Sequence, residues 1–82
     1  MHLSDHEDSI IADLGVAMKF KFSVHRSKGG WSHKSASILM EELKREVVEL
    51  EEALASGKKE AVISEAADVA NYLAMIIEKV KK

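Results

Sequence analysis

Leu43-Lys44-Arg45-Glu46-Val47-Val48-Glu49-Leu50-Glu51-Glu52-Ala53-Leu54-Ala55-Ser56-Gly57-Lys58 is the stretch that decides the fold. Together with Leu39 it sets Leu39, Leu43, Val47, Leu50 and Leu54 at helical spacing, the signature of an α-helix with one apolar face. Gly57 supplies the stop, because glycine adopts the left-handed conformation that closes a helix C-terminus without steric cost. A second periodic run follows at once, with Val62, Ala66, Val69, Leu73, Ile76, Ile77 and Val80 on one face of a helix from about Lys58 to Val80. A connection as short as Ser56-Gly57-Lys58 turns the two helices into an antiparallel hairpin.

Working toward the N-terminus, the second helix starts after Ser32 or Ser35, either of which can cap it, and runs to Ala55. Arg26-Ser27-Lys28-Gly29-Gly30-Trp31-Ser32-His33 reads as a loop, since adjacent glycines favour backbone conformations that a helix interior disfavours. A first helix opens near Ser4, which forms a capping-box pattern with Glu7, and points Ile10, Ile11, Leu14, Ala17 and Met18 inward before fraying around Phe22 to His25. Proline is absent, no long stretch alternates β-branched with polar residues, and no tandem repeat is present. The expectation is an all-α fold: one domain over residues 1–82, a three-helix unit assembling into an oligomeric helical bundle, because a unit this short buries a limited fraction of its surface.

The composition narrows the function. The net charge of −2, from 12 basic and 14 acidic residues, lacks the positive balance expected of a nucleic-acid binder. No cysteine is available for disulfides or thiolate zinc sites. No apolar run approaches the roughly 20 residues that span a bilayer, and the N-terminal Met1-His2-Leu3-Ser4-Asp5 is not followed by a signal-peptide core. A soluble, cytoplasmic protein without a membrane or nucleic-acid polymer as partner is expected. His2 and His6 read as solvated, Met18, Met40 and Met75 as core filler, and Lys79, Lys81 and Lys82 as complements to a helix dipole.

The chemistry lies in two acidic pairs, Glu46-x-x-Glu49 and Glu65-x-x-Asp68. Members of each pair are three positions apart, so their Cβ atoms are roughly 5–6 Å apart on a helix and both can reach one cation. Fourteen acidic residues would produce about two such pairs by chance, whereas the chain holds four, with Asp5/Asp8 and Glu49/Glu52 as the others. The Glu46 and Glu65 pairs border the apolar stripes of the two hairpin helices and so can face each other. Like charges brought together need cations, protons or solvent. Oxygen-only donors favour magnesium or manganese, and magnesium characteristically joins carboxylates to substrate phosphates.

In the order and spacing of Lys28-Gly29-Gly30-Trp31, the Glu42-to-Leu54 helix with Glu46-x-x-Glu49, and Glu65-Ala66-Ala67-Asp68-Val69-Ala70-Asn71-Tyr72, the chain resembles the all-α nucleoside triphosphate pyrophosphohydrolases, specifically small MazG-like proteins. The resemblance covers the chain from about Ala17 to its end. It implies Mg2+, with Mn2+ as a possible substitute, bound by Glu46, Glu49, Glu65 and Asp68 as the metal-holding catalytic set. It also implies hydrolysis of a nucleoside triphosphate between the α and β phosphorus atoms, and a homodimer or homotetramer. Which carboxylate accepts the water proton is left open, and Glu42 is an outer ligand or second acceptor.

The same resemblance places Lys28, Trp31, Asn71 and His25 on the substrate side. A cation at Lys28 would meet phosphate, and an indole at Trp31 would either stack on a base or anchor the loop. Asn71 would hold substrate or water, or stand as an ordinary polar residue on a helix flank. His25 departs from the residue often found in relatives, which leaves base preference open. Two other readings share these features: a non-catalytic helical interaction module, and a hydrolase of phosphoribosyl-nucleotides.

Overall fold

Ser4 caps the first helix as its pairing with Glu7 predicts. In the computed structural model, which describes residues 4–81, Ser4 Oγ accepts from the Glu7 backbone N–H at 3.1 Å and Glu7 Oε1 accepts from the Ser4 N–H at 3.1 Å. The readings made for His2 and Lys82 lie outside the described residues. Helix α1 (Asp5–Ser27) continues past the expected fraying point. Tertiary contacts sustain its last turn: the Phe22 ring lies 5.2 Å from Trp31, and His25 meets Tyr72 edge-on at 5.6 Å. Beyond it, the His25 carbonyl accepts from Lys28 N–H at 3.1 Å and Gly30 N–H at 2.9 Å. Gly29 (φ 104°) and Gly30 (φ 69°) make that tight exit possible.

Ser35, rather than Ser32, caps α2 (Ala36–Ser56), its hydroxyl accepting from Ile38 N–H at 3.2 Å. Gly57 ends the helix in the left-handed conformation, φ 72°, with its N–H on the Leu54 carbonyl. The Gly57-Lys58 link folds α3 (Lys59–Lys81) back to pack closely on α2. The described residues are thus all-helical, without a strand. Helix α3 lies in the middle, with α1 and α2 both packed on it and not on each other. None of these helices is long and apolar enough to cross a membrane.

The core is small: Leu39, Leu43, Tyr72 and Met75, flanked by Phe22, Trp31, Val69 and Ile76. It corrects the expected inward faces. On α2 the buried or half-buried stripe is Leu39, Leu43, Glu46, Leu50 and Ala53, whereas Val47 is 40% and Leu54 62% exposed. On α3 the buried residues are Ala67, Asn71, Tyr72 and Met75, while Leu73, Ile77 and Val80 are exposed. Helix α1 buries no residue fully; Ile10, Ile11 and Leu14 face solvent, as does Met40 of α2. The physical reason is a surplus of apolar positions over what three helices in this arrangement can cover. Contact with two neighbours selects which arc of α3 is buried, and Ala67 permits close helix approach.

Leu39, with 0% exposure, is the centre of this packing. Truncation in Leu39→Ala is expected to lower the unfolding free energy by about 2–5 kcal/mol. Urea titration followed by circular dichroism measures it, and a loss below about 1 kcal/mol would contradict the packing described.

Candidate metal centre and adjoining cavity

Glu46 stands in the core-facing stripe of α2, one turn beyond Leu43, so the fold carries its carboxyl inward. Glu49 lies one turn further along, and α3 brings Glu65 opposite. Carboxylate oxygens of Glu46, Glu49 and Glu65 lie within 4.8 Å of one another. Glu46 Oε2 and Glu65 Oε2 are buried and have no hydrogen-bond partner. Burial pushes the Glu46 carboxyl up to about 8; a hydrogen bond to Glu49 that the protonated form makes, and the negative charges of Asp68, Glu49 and Glu65, add to the shift. Orphaned oxygens in a cluster of hard donors could hold a divalent cation.

The fourth expected ligand is engaged elsewhere. Asp68 Oδ2 pairs with Lys21 Nζ at 3.2 Å, and Lys21 also donates to Ser64 Oγ at 3.2 Å. Glu42 is likewise held: Lys34 Nζ donates to both of its oxygens at 2.9 Å. Each of these acids therefore has an internal counter-cation, and among the described residues the three that converge do not.

Beside the cluster, α1, the loop and the α2–α3 pair enclose a cavity of about 360 Å³. Glu46 and Asp68 line one part of it, and Lys21, Lys28 and Lys34 supply a cationic part, with His25, His33 and Tyr72 also in the lining. The position of His25 in this wall lowers its pKa, chiefly through burial, with the charge of Asp68 opposing and those of Lys34, Lys21 and Lys28 reinforcing. Burial, then the charges of Glu42 and Glu46, raise the Tyr72 hydroxyl to about 12, so it stays protonated as a donor.

Of the substrate-side candidates, His25 and Lys28 line this cavity; Trp31 and Asn71 do not. Trp31 anchors the loop, packing on Phe22 and donating from Nε1 to Glu78 Oε1 at 3.0 Å. Lys79 Nζ adds a bond to the Ser32 carbonyl at 3.0 Å. Asn71 is fully buried and ties α3 to α1, its Nδ2 donating to the Met18 carbonyl at 3.0 Å, with Oδ1 unpartnered. Sequence reasoning passed over Lys21, His33, Lys34 and Tyr72. A signal existed for one of them: Lys21, Val24, His25 and Lys28 fall at i, i+3, i+4 and i+7, one face of α1.

The chain matches no protein-family model, no curated protein and no solved structure.

The raised Glu46 carboxyl makes the metal-free protein sensitive to alkali. Between the ordinary value of 4.5 and about 8 the unfolded chain releases this proton while the folded chain keeps it, so the stabilisation present at low pH is lost as pH rises through that window. Glu46→Gln, which mimics the protonated form, is expected to gain stability relative to the unmodified protein across the same window. Thermal unfolding in EDTA at several pH values measures the difference; a pH-independent difference would contradict the burial of this carboxyl.

Proposed function

We propose that this chain is a magnesium-dependent nucleoside triphosphate pyrophosphohydrolase of the cytoplasm, converting a nucleoside triphosphate into the monophosphate and pyrophosphate. The observation that carries the reading is the convergence of Glu46, Glu49 and Glu65, two of them with buried unpartnered oxygens, at the edge of a cavity whose other wall is cationic. That polarity suits a ligand whose phosphates bridge metal ions and ammonium groups. The resemblance of Lys28-Gly29-Gly30-Trp31, Glu46-x-x-Glu49 and Glu65-x-x-Asp68 to MazG-like proteins supports the same chemistry.

Glu46, Glu49 and Glu65 hold the cation in this reading, and Asp68 joins them when it is released from Lys21. Magnesium or manganese bound there would neutralise phosphate charge and acidify water. Lys28 receives phosphate oxygens, and His25, largely neutral at physiological pH because burial lowers its pKa, borders the substrate. Trp31 and Asn71 act at one remove, the first fixing the loop that carries Lys28, the second fixing α1 against α3.

The unit itself is a homodimer or homotetramer in this proposal. Met40, Val47 and Leu54 repeat every seven positions along the exposed side of α2, and Leu73, Ile77 and Val80 form a similar exposed stripe on α3. Uncovered apolar stripes of this kind are associated with interfaces. The same observation favours a second reading, a non-catalytic helical interaction module.

Pyrophosphate release from ribo- and deoxyribonucleoside triphosphates, and from phosphoribosyl-nucleotides, separates these. Release is expected only with magnesium or manganese, to stop with EDTA, and to fall at least about a hundredfold in Glu46→Gln. Release from phosphoribosyl-nucleotides alone would reassign the substrate class. No metal-dependent release from any of them would leave the interaction module as the reading.

A further inference from the structure

Lys21 occupies a peculiar position among the charged groups. Its ammonium has two partners, Asp68 Oδ2 and Ser64 Oγ, both on α3, and it also lines the cavity. Asp68 is little exposed, its side chain 13% accessible, so it depends on Lys21 for compensation. Glu42 is matched in the same way by Lys34. The internal cations thus satisfy the acids flanking the cluster and leave Glu46, Glu49 and Glu65 for an external one. On one little-exposed carboxylate an ammonium and a divalent cation repel each other, so a metal at Asp68 weakens the hold of Lys21 there.

We propose that Lys21 is an exchangeable counter-cation: it neutralises Asp68 when the cavity holds no ligand, and it transfers to an anionic phosphate oxygen when a divalent cation takes Asp68. This role rests on the reading of Glu46, Glu49 and Glu65 as a cation site. Its consequence is coupling. Because the released ammonium already borders the cavity, binding of a phosphate anion removes the cost of leaving Lys21 unpaired, and the anion and the cation at Asp68 favour each other. Lys21 is then a positioning residue that keeps the full four-carboxylate set from closing on metal until an anion arrives. Lys34, held by both oxygens of Glu42, stays in place.

The test is Mn2+ binding to the full chain, measured by electron paramagnetic resonance with and without inorganic pyrophosphate, in the unmodified protein, Lys21→Met, Lys21→Arg and Glu46→Gln. Methionine keeps the apolar stem and removes the charge. Lys21→Met is expected to bind Mn2+ about tenfold more tightly without pyrophosphate and to lose most of the enhancement that pyrophosphate gives, while Lys21→Arg preserves both properties. A complementary measurement uses Asp68→Asn in EDTA, where the freed ammonium is expected to strengthen metal-free pyrophosphate binding.

If Lys21→Met binds Mn2+ as the unmodified protein does, with an unchanged pyrophosphate effect, or if Asp68→Asn gains no pyrophosphate affinity, the exchange is overturned. The cation site itself survives either outcome as long as Glu46→Gln abolishes Mn2+ binding. Absence of Mn2+ binding in the unmodified protein would overturn the cation site and the exchange together.

Discussion

The carboxyl of Glu46 lies where α2 turns its apolar stripe toward α3, and much of the molecule is organised around keeping it there. An acid in such a position is tolerated in one of three ways: by retaining a proton, by pairing with a basic side chain, or by holding a metal ion. Glu46 takes the first, its neighbours Glu42 and Asp68 take the second through Lys34 and Lys21, and the cluster with Glu49 and Glu65 is open to the third. The stripe position gives Glu46 its burial. The same burial costs folding stability when the carboxyl ionises without a cation.

Helix α3 makes this arrangement possible by serving two neighbours. Toward α2 it offers Tyr72 and Met75 to the core with Leu39 and Leu43. Toward α1 it offers Asp68 and Ser64 to Lys21 and Asn71 to the Met18 carbonyl, three polar ties across one interface. Because α1 and α2 do not pack on each other, a space remains between them where Lys21, His25 and Lys28 face Glu46. The loop that borders this space is held at its far end by Trp31 on Glu78 and by Lys79 on the Ser32 carbonyl. The cavity thus owes its cationic wall to α1 and the loop, and its anionic wall to the hairpin.

Much of the local structure was legible in the residues. The capping box at Ser4 and Glu7, the Ser35 cap, the paired glycines after α1 and the left-handed Gly57 each have a short-range cause, so their effects fall within a residue or two of expectation. The proximity of Glu46, Glu49 and Glu65 was legible too, because the i, i+3 spacing and the short link set it. The sense of burial was less so. Val47 and Leu54 look like core positions on a helical wheel, yet α2 is turned so that Glu46 and Ala53 face inward in their place. A chain this small carries more apolar residues than it can cover, and periodicity does not say which surplus faces out.

By itself, then, the sequence determined three helices with their caps and stops, a tight link after α2, and two acidic pairs each set along one helix face. Those properties depend on backbone preferences and spacings of a few residues, which operate before any tertiary contact forms. Tertiary structure alone decided the rotation of each helix and the partner of each charge. It gave Asp68 to Lys21 and Glu42 to Lys34, seated Trp31 on Glu78 rather than in the cavity, and made Asn71 a tie between helices. The Asp68, Trp31 and Asn71 contacts join residues 47 or more positions apart, so only the packing of α1, the loop and α2 around α3 could bring them together.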